Sequence, residues 1–426
     1  MREIRRQRIP DLWEGHRQGK MMVMRIGEMM SPILAAFGPY VSRIFGPYFG
    51  PAMKDPQLLV KFHEAAEGYN IPGGEFCSAM HHQLGQVILG LSTLSPLDNE
   101  QSPMDFVFQT AICQPQKQMA QLAGSILGLP TFTVDIPYCD EPTQTTFKGK
   151  EYLIGQMEEA IEWLTRITGR GFDEEVLMTE VVNDWECSVL MAEIITTCQA
   201  VPVPLDYLQL RELSYISGML HNDARAVEFN RVLLDELKDR VARGISAHGV
   251  ETARILFESE DIFFAMHRMM SIPRKYGALF IGDRGPALRG AWAFDEEGRM
   301  HPAPHFHELE RPIRDRRSAL ELLADLYLER YMIPRQLHLH IKPSLTLHKA
   351  RDWKSDAVVM FLDIGCRAIS LGFPEVKQFL REHGMPAFTF EGSSSDPRYY
   401  DEGGVREQME AFLESLGLTP LPEARD

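Results

Sequence analysis

The chain has 426 residues, 44% hydrophobic and 24% charged, with a formal net charge of −16. That length suits two or three domains, and the acidic balance argues against nucleic acid or an anionic membrane as the main partner. Six cysteines without a Cys-x-x-Cys pair, in a chain too large to need a disulfide framework, point to a reducing cytoplasm.

Met1 to Arg8 is basic, but Glu3, Asp11 and Glu14 spoil a transit-peptide pattern and no apolar core follows. The apolar stretch Pro32 to Met53 holds a small repeat, Phe37-Gly-Pro-Tyr40 and Phe45-Gly-Pro-Tyr48. Prolines and Arg43 interrupt it, so it does not read as a membrane span. It reads as helix and turn packed on a neighbouring domain or subunit.

A helix is expected from Asp55 to Gly68, begun by a capping residue and a proline. Cys77 stands just before the next helical segment. Met104 to Cys113 reads as a short apolar strand ending on a cysteine, followed by a helix with Pro115 in its first turn and Gly128 at its exit. Pro130 to Pro137 is the next strand. Helical spacing then dominates Glu151 to Thr168, Asp173 to Thr197 and Asn222 to Ala247, and Tyr276 to Gly282 returns to strand.

Near the end the same plan recurs. Ala357 to Ile364 is an apolar run of the length of a buried parallel strand, and it delivers Cys366 to the strand's carboxyl end. A helix follows up to His383-Gly384, then a strand over Ala387 to Phe390 and a last helix from Val405 to Leu416. Such a repeat predicts an α/β protein with two Rossmann-like parallel-sheet domains facing a cleft, a helical N-terminal part and a helical connector. The expected division is residues 1–68, 69–205 and 206–426.

Cys77, Cys113 and Cys366 each lie where a strand or turn gives way to a helix N-terminus, whose unpaired N–H groups favour a thiolate. Three thiolates gathered in a cleft can hold a [4Fe–4S] cluster and leave one iron open; three buried thiols acting as small hydrophobes is the plainer alternative. Cys187 and Cys198 fall in a helical pattern and read as core. Cys139 is a second-choice ligand.

The Cys77-Ser turn, Cys113-Gln-Pro-Gln-Lys and Gly-Leu-Pro-Thr-Phe-Thr-Val-Asp-Ile-Pro-Tyr138 carry a resemblance. So do Asp363-Ile-Gly-Cys366, Glu375-Val-Lys-Gln-Phe-Leu-Arg-Glu-His-Gly-Met-Pro, Glu391-Gly with Asp396-Pro-Arg398, and the closing Arg406 segment. From about residue 70 onward the chain resembles the 2-hydroxyacyl-CoA dehydratase / benzoyl-CoA reductase family of iron–sulfur enzymes. The resemblance implies one [4Fe–4S] cluster on Cys77, Cys113 and Cys366. It also implies a homologous iron–sulfur subunit, an ATP-hydrolysing activating subunit, a ferredoxin-type electron donor and an acyl-CoA substrate. The chain has no G-x-x-x-x-G-K-[ST] loop and no G-x-G-x-x-G, in keeping with ATP being handled elsewhere.

His81 and His82 follow Cys77 by about one helical turn and are the candidate proton donors, against ordinary helix-face histidines. His301, His305 and His307 read as a solvated loop rather than a zinc site. His338 and His340 read as one face of a strand. Asp396, Arg398 and Arg406 read as ion pairs, with CoA phosphates as the other possibility. The leading expectation is a benzoyl-CoA reductase subunit that reduces the ring of an aromatic acyl-CoA to a cyclic diene. Next stands a radical 2-hydroxyacyl-CoA dehydratase subunit, then a non-catalytic electron-relay or scaffold subunit, and last a cluster-free α/β binding protein.

Overall fold

A computed structural model describes residues 14–25, 29–44, 55–73, 76–90, 104–137, 146–282, 290–331 and 337–422. The first half contains β1 (Met21–Arg25), α1 (Ser31–Ala35), β2 (Tyr40–Ile44), α2 (Gln57–Gly68), α3 (Ser78–Ile88), β3 (Phe106–Ala111), α4 (Gln114–Leu127) and β4 (Thr131–Asp135). Four helices follow: α5 (Thr146–Thr168), α6 (Glu174–Thr197), α7 (Tyr207–Met219) and α8 (Ala224–Ala242). The second half contains β5 (Ala253–Phe257), α9 (Met266–Arg274), β6 (Ala278–Ile281), the hairpin β7 (Trp292–Phe294) and β8 (Met300–Pro302), and α10 (Arg316–Asp325). It closes with α11 (Lys342–Asp352), β9 (Ala357–Asp363), α12 (Arg367–Ser370), α13 (Phe373–Glu382), β10 (Ala387–Gly392) and α14 (Glu402–Ser415).

Two parallel sheets organise these elements. Their orders are β2-β1-β3-β4 and β10-β9-β5-β6. Read from the first strand of each, both follow one plan: the second strand pairs on one side, and the third and fourth on the other. The order therefore reverses between β1 and β3, and again between β5 and β9. In open α/β sheets ligands bind outside the carboxyl ends of the strands at such reversals.

Each sheet is covered on both faces, which is why its strands read as continuous apolar runs. Met21, Val23, Phe106 and Phe108 face α5, α6 and α10, while Met24 and Val107 face α3 and α4. In the second sheet Ile255, Phe257, Val359 and Phe361 pack against α9 and α14, while Leu256, Val358 and Met360 pack against α11 and α13. Helix α2 serves both cores. Its Leu59 and Phe62 join the second sheet's cluster and its Ala66 joins the first.

The N-terminal part departs from the helical expectation, because β1 and β2 both belong to the first sheet. The β1 segment Met-Met-Val-Met-Arg is poor in β-branched residues and does not alternate, so tertiary burial rather than propensity makes it a strand. Its Arg25 is buried and donates to Ser31 Oγ at 2.9 Å. The second Phe-Gly-Pro-Tyr copy lies outside the described residues. The strand expected at His338–His340 is instead a turn leading into α11. Among the described residues no helix is long and apolar enough to cross a membrane.

Helices α2 and α3 cross with backbone nearly touching backbone. A Cβ on Gly85 would overlap the carbonyl group of Phe62. We therefore expect Gly85→Ala to lower stability by about 1–3 kcal/mol through overpacking, measured by chemical denaturation; an unchanged midpoint would show that the helices separate at no cost.

Candidate metal centre

Three cysteines expected to act together are brought together. Cys77, Cys113 and Cys366 occupy the N-cap positions of α3, α4 and α12. Strand β3 ends two residues before Cys113, and β9 ends three residues before Cys366, each at its sheet's reversal point. Loop chemistry shapes the second turn: Gly365 donates its amide to Asp363 Oδ1 at 2.9 Å, and Cys366 donates to the Asp363 carbonyl at 3.1 Å. A Cβ on Gly365 would stand 2.9 Å from the Ser78 nitrogen and 3.2 Å from Ser78 Cβ. The Cys366 loop thus lies directly on the first turn of α3.

The thiols respond to one another. Cys77 is pushed well above the ordinary cysteine range by its hydrogen bond with Cys366, then by burial. Burial pushes Cys113 up to about 12, and the nearby Cys366 and Glu260 add to the rise. First-turn amides pull the other way, Met80 on Cys77 and Gln116 on Cys113, but more weakly. Cys77 is buried and Cys113 and Cys366 are half-buried, and thiols held up in this way ionise more readily when positive charge compensates them.

Around them the second half of the chain supplies the walls. Phe263, from the segment after β5, packs on Cys77 and Ala79. Lys342 is buried and donates to the Ile369 and Leu371 carbonyls at 2.6 and 2.7 Å, which fixes the short helix after Cys366. At the end of β5 the buried pair Glu258–Lys349 stands at 2.5 Å.

The candidate proton donors lie behind the cysteines. His81 and His82 are both fully buried on α3. His81 meets a residue the sequence did not single out, His63 of α2, with 2.7 Å between their Nδ1 atoms. His63 Nε2 faces the Ser395 carbonyl at 3.1 Å and His81 Nε2 faces the Ile71 carbonyl at 2.8 Å. Burial pushes His63 down to about 4, and with Nε2 facing the Ser395 carbonyl its Nδ1 is left to accept from His81 Nδ1. Asp396 lies 3.9 Å from His63 and is held by Arg398, which also reaches Glu67 at 2.6 Å. His82 turns Nδ1 to Ser395 Oγ at 3.0 Å, and burial pushes it down to about 3.

The remaining candidates separate from this centre. Cys187 and Cys198 are buried in a helical core. Cys139 lies outside the described residues. His305 bonds Glu186 at 2.9 Å, and His301 contacts Asp295 at 3.3 Å. Arg406 pairs loosely with Glu402 at 3.8 Å. His63, Lys342 and Phe263 carried no local motif, because each acts from an element distant in sequence.

Among the described residues no group of three or more His, Cys, Asp or Glu is placed to hold a single metal ion. Ligands of a [4Fe–4S] cluster come one to each of several irons, so three thiols arriving from three separate helix starts suit a cluster rather than a single ion. In cluster-free protein, Cys113 should react with iodoacetamide at pH 8 roughly fiftyfold more slowly than an ordinary exposed thiol, its smaller thiolate fraction being partly offset by the greater nucleophilicity of that thiolate. Peptide mass spectrometry reads the rate, and a value near that of free cysteine contradicts the burial described.

Residues 33–416 match the model of the family described as 2-hydroxyglutaryl-CoA dehydratase, D-component. The chain is 22% identical over 358 residues to the (R)-phenyllactyl-CoA dehydratase alpha subunit of Clostridium sporogenes, covering 83% of this chain and 79% of that one. It is 22% identical to the (R)-2-hydroxyglutaryl-CoA dehydratase alpha subunit of Acidaminococcus fermentans, over 68% of this chain and 55% of that one. To a benzoyl-CoA reductase subunit of Thauera aromatica it is 21% identical, over 67% and 64%. With nearly its whole length matched, the chain belongs to the 2-hydroxyglutaryl-CoA dehydratase D-component family.

Proposed function

We propose that this chain is an iron–sulfur subunit of an enzyme that removes water from a 2-hydroxyacyl-CoA. The observation that carries the reading is the meeting of Cys77, Cys113 and Cys366 where the two sheets reverse. Similarity to dehydratase alpha subunits supports dehydration as the reaction. The sequence alone ranked ring reduction first; similarity to a benzoyl-CoA reductase subunit keeps that as the second reading.

Cys77, Cys113 and Cys366 would hold a [4Fe–4S] cluster. When bound, it supplies single electrons and an iron without a protein thiolate, open to substrate. The chain's own residues do the rest. Phe263 and Ala79 keep water from Cys77. Gly365 and Lys342 position Cys366. His82, held neutral by burial, and His81 are the proton-handling groups nearest the cysteine end of α3. A homologous iron–sulfur subunit completes the assembly. A ferredoxin-type donor and an ATP-hydrolysing activating subunit deliver the electron.

Anaerobically purified protein should contain about four iron and four acid-labile sulfide per chain, and Cys113→Ala should lose most of both. Supplied with ATP and the activating subunit, the complex should turn over a 2-hydroxyacyl-CoA and leave benzoyl-CoA untouched. Turnover of benzoyl-CoA alone would put ring reduction in its place. Absence of iron under strict anaerobiosis would remove the redox reading altogether.

A further inference from the structure

Helix α3 carries more than its cysteine end. Along the face that starts at Ser78 runs a buried polar seam against the loop after β10. Ser78 Oγ meets Ser394 Oγ at 3.1 Å, and His82 Nδ1 meets Ser395 Oγ at 3.0 Å and the Ser78 carbonyl at 3.3 Å. One turn further on, the seam's polar atoms have no protein partner. His82 Nε2, Gln83 Oε1, and both Oε1 and Nε2 of Gln86 are buried without a hydrogen bond. All three side chains are at most 1% exposed. Helical spacing makes Gln86 a neighbour of both His82 (i, i+4) and Gln83 (i, i+3), so the residues that carry the orphaned atoms adjoin on one side of α3.

Their chemistry specifies what they need. A carbonyl can only accept, so His82 Nδ1 carries the ring proton and Nε2 presents a lone pair. Nε2 and the amide oxygens therefore require donors, and the Gln86 amide nitrogen requires an acceptor. Exchanging the oxygen and nitrogen of Gln86 changes nothing, because both lack partners. Water supplies donor and acceptor together, and buried waters characteristically bind where two to four such groups converge.

We propose that the His82–Gln83–Gln86 patch is an internal water-binding site whose waters, with His82, carry protons along α3 to the cysteine end. The path runs from the helix's far end, beside Leu89 at 47% exposure, toward Cys77. A seam water gives a proton to His82 Nε2 and is itself recharged by the next water, while the Nδ1 proton moves to Ser395 Oγ and the Ser395 hydroxyl proton leaves to a further water. The ring ends as the other tautomer with no net charge buried, and a ring flip, not the reverse transfer, restores it for the next proton. The transport role rests on the function proposed above; the water site does not.

A high-resolution structure of the anaerobic holoprotein should show water bridging His82 Nε2 and Gln86, and absent density overturns the site. Gln86→Leu should lower Tm by about 2 °C or more, because the waters lose a partner. A rise in Tm would mean the atoms are dry and unpaired, and would also overturn the site. Gln86→Met, closer in shape, repeats the test if the first variant does not fold. With iron content unchanged, the variant's turnover should fall at least fivefold with a larger solvent deuterium isotope effect. Unchanged rate and isotope effect overturn the path. If wild type turns over no 2-hydroxyacyl-CoA, the reading of function fails while density and Tm still decide the water site.

Discussion

The site depends on one close approach, the seating of the Cys366 loop on the first turn of α3. Gly365 permits it, since any Cβ there would press on the Ser78 backbone at 2.9 Å. Without that contact Cys77 and Cys366 would not share a hydrogen bond, and the two sheets would present their cysteines separately. The constraint is steric first and electrostatic second. Once the loops meet, Cys366 stands beside the buried Cys77, and the raised pKa values of Cys77 and Cys113 record the cost of ionising them uncompensated.

Two copies of one sheet plan make the approach possible. Each sheet reverses order beside its first strand and releases a cysteine loop from its third. Parallel topology places those loops at carboxyl ends, where the helices that follow begin. Helix α2 then joins the halves, because its apolar residues enter both cores and its His63 reaches α3 and the Ser395 carbonyl alike. Gly85 lets α3 lie against it at backbone distance. The Arg398–Glu67 and Arg398–Asp396 pairs fasten the same joint at its edge, where solvent leaves such pairs modest energetic weight.

Polar groups inside this joint set its character. Neutral His63 and His82 follow from burial, and the backbone carbonyl facing each ring fixes which nitrogen donates. A purely apolar contact between α3 and the loop after β10 would pack more simply. Serines and a histidine meet there instead, through Ser78–Ser394 and His82–Ser395.

The sequence by itself determined the parallel strands that end on Cys113 and Cys366, the helices they start, and the duplication that relates them. Those signals are local: apolar runs of strand length, proline in a first helical turn, glycine at an exit. It also singled out the cysteine trio, through shared position and resemblance, and put Cys187 and Cys198 in the core, where they lie. It could not reveal β1, whose methionine-rich segment becomes a strand only by lying between β2 and β3. Nor could it reveal β5, where Arg254 interrupts an apolar run yet is buried, donating to the carbonyls of Trp353, Ala200 and Cys198. His338 and His340 showed the reverse error, since alternation over three residues mimics a strand where the chain turns. The partners of the site residues, His63 to His81 across 18 positions and Ser395 to His82 across 313, were decided by tertiary structure alone. Local pattern encodes which backbone forms. Which side chains meet depends on how two sheets and a bridging helix close upon each other.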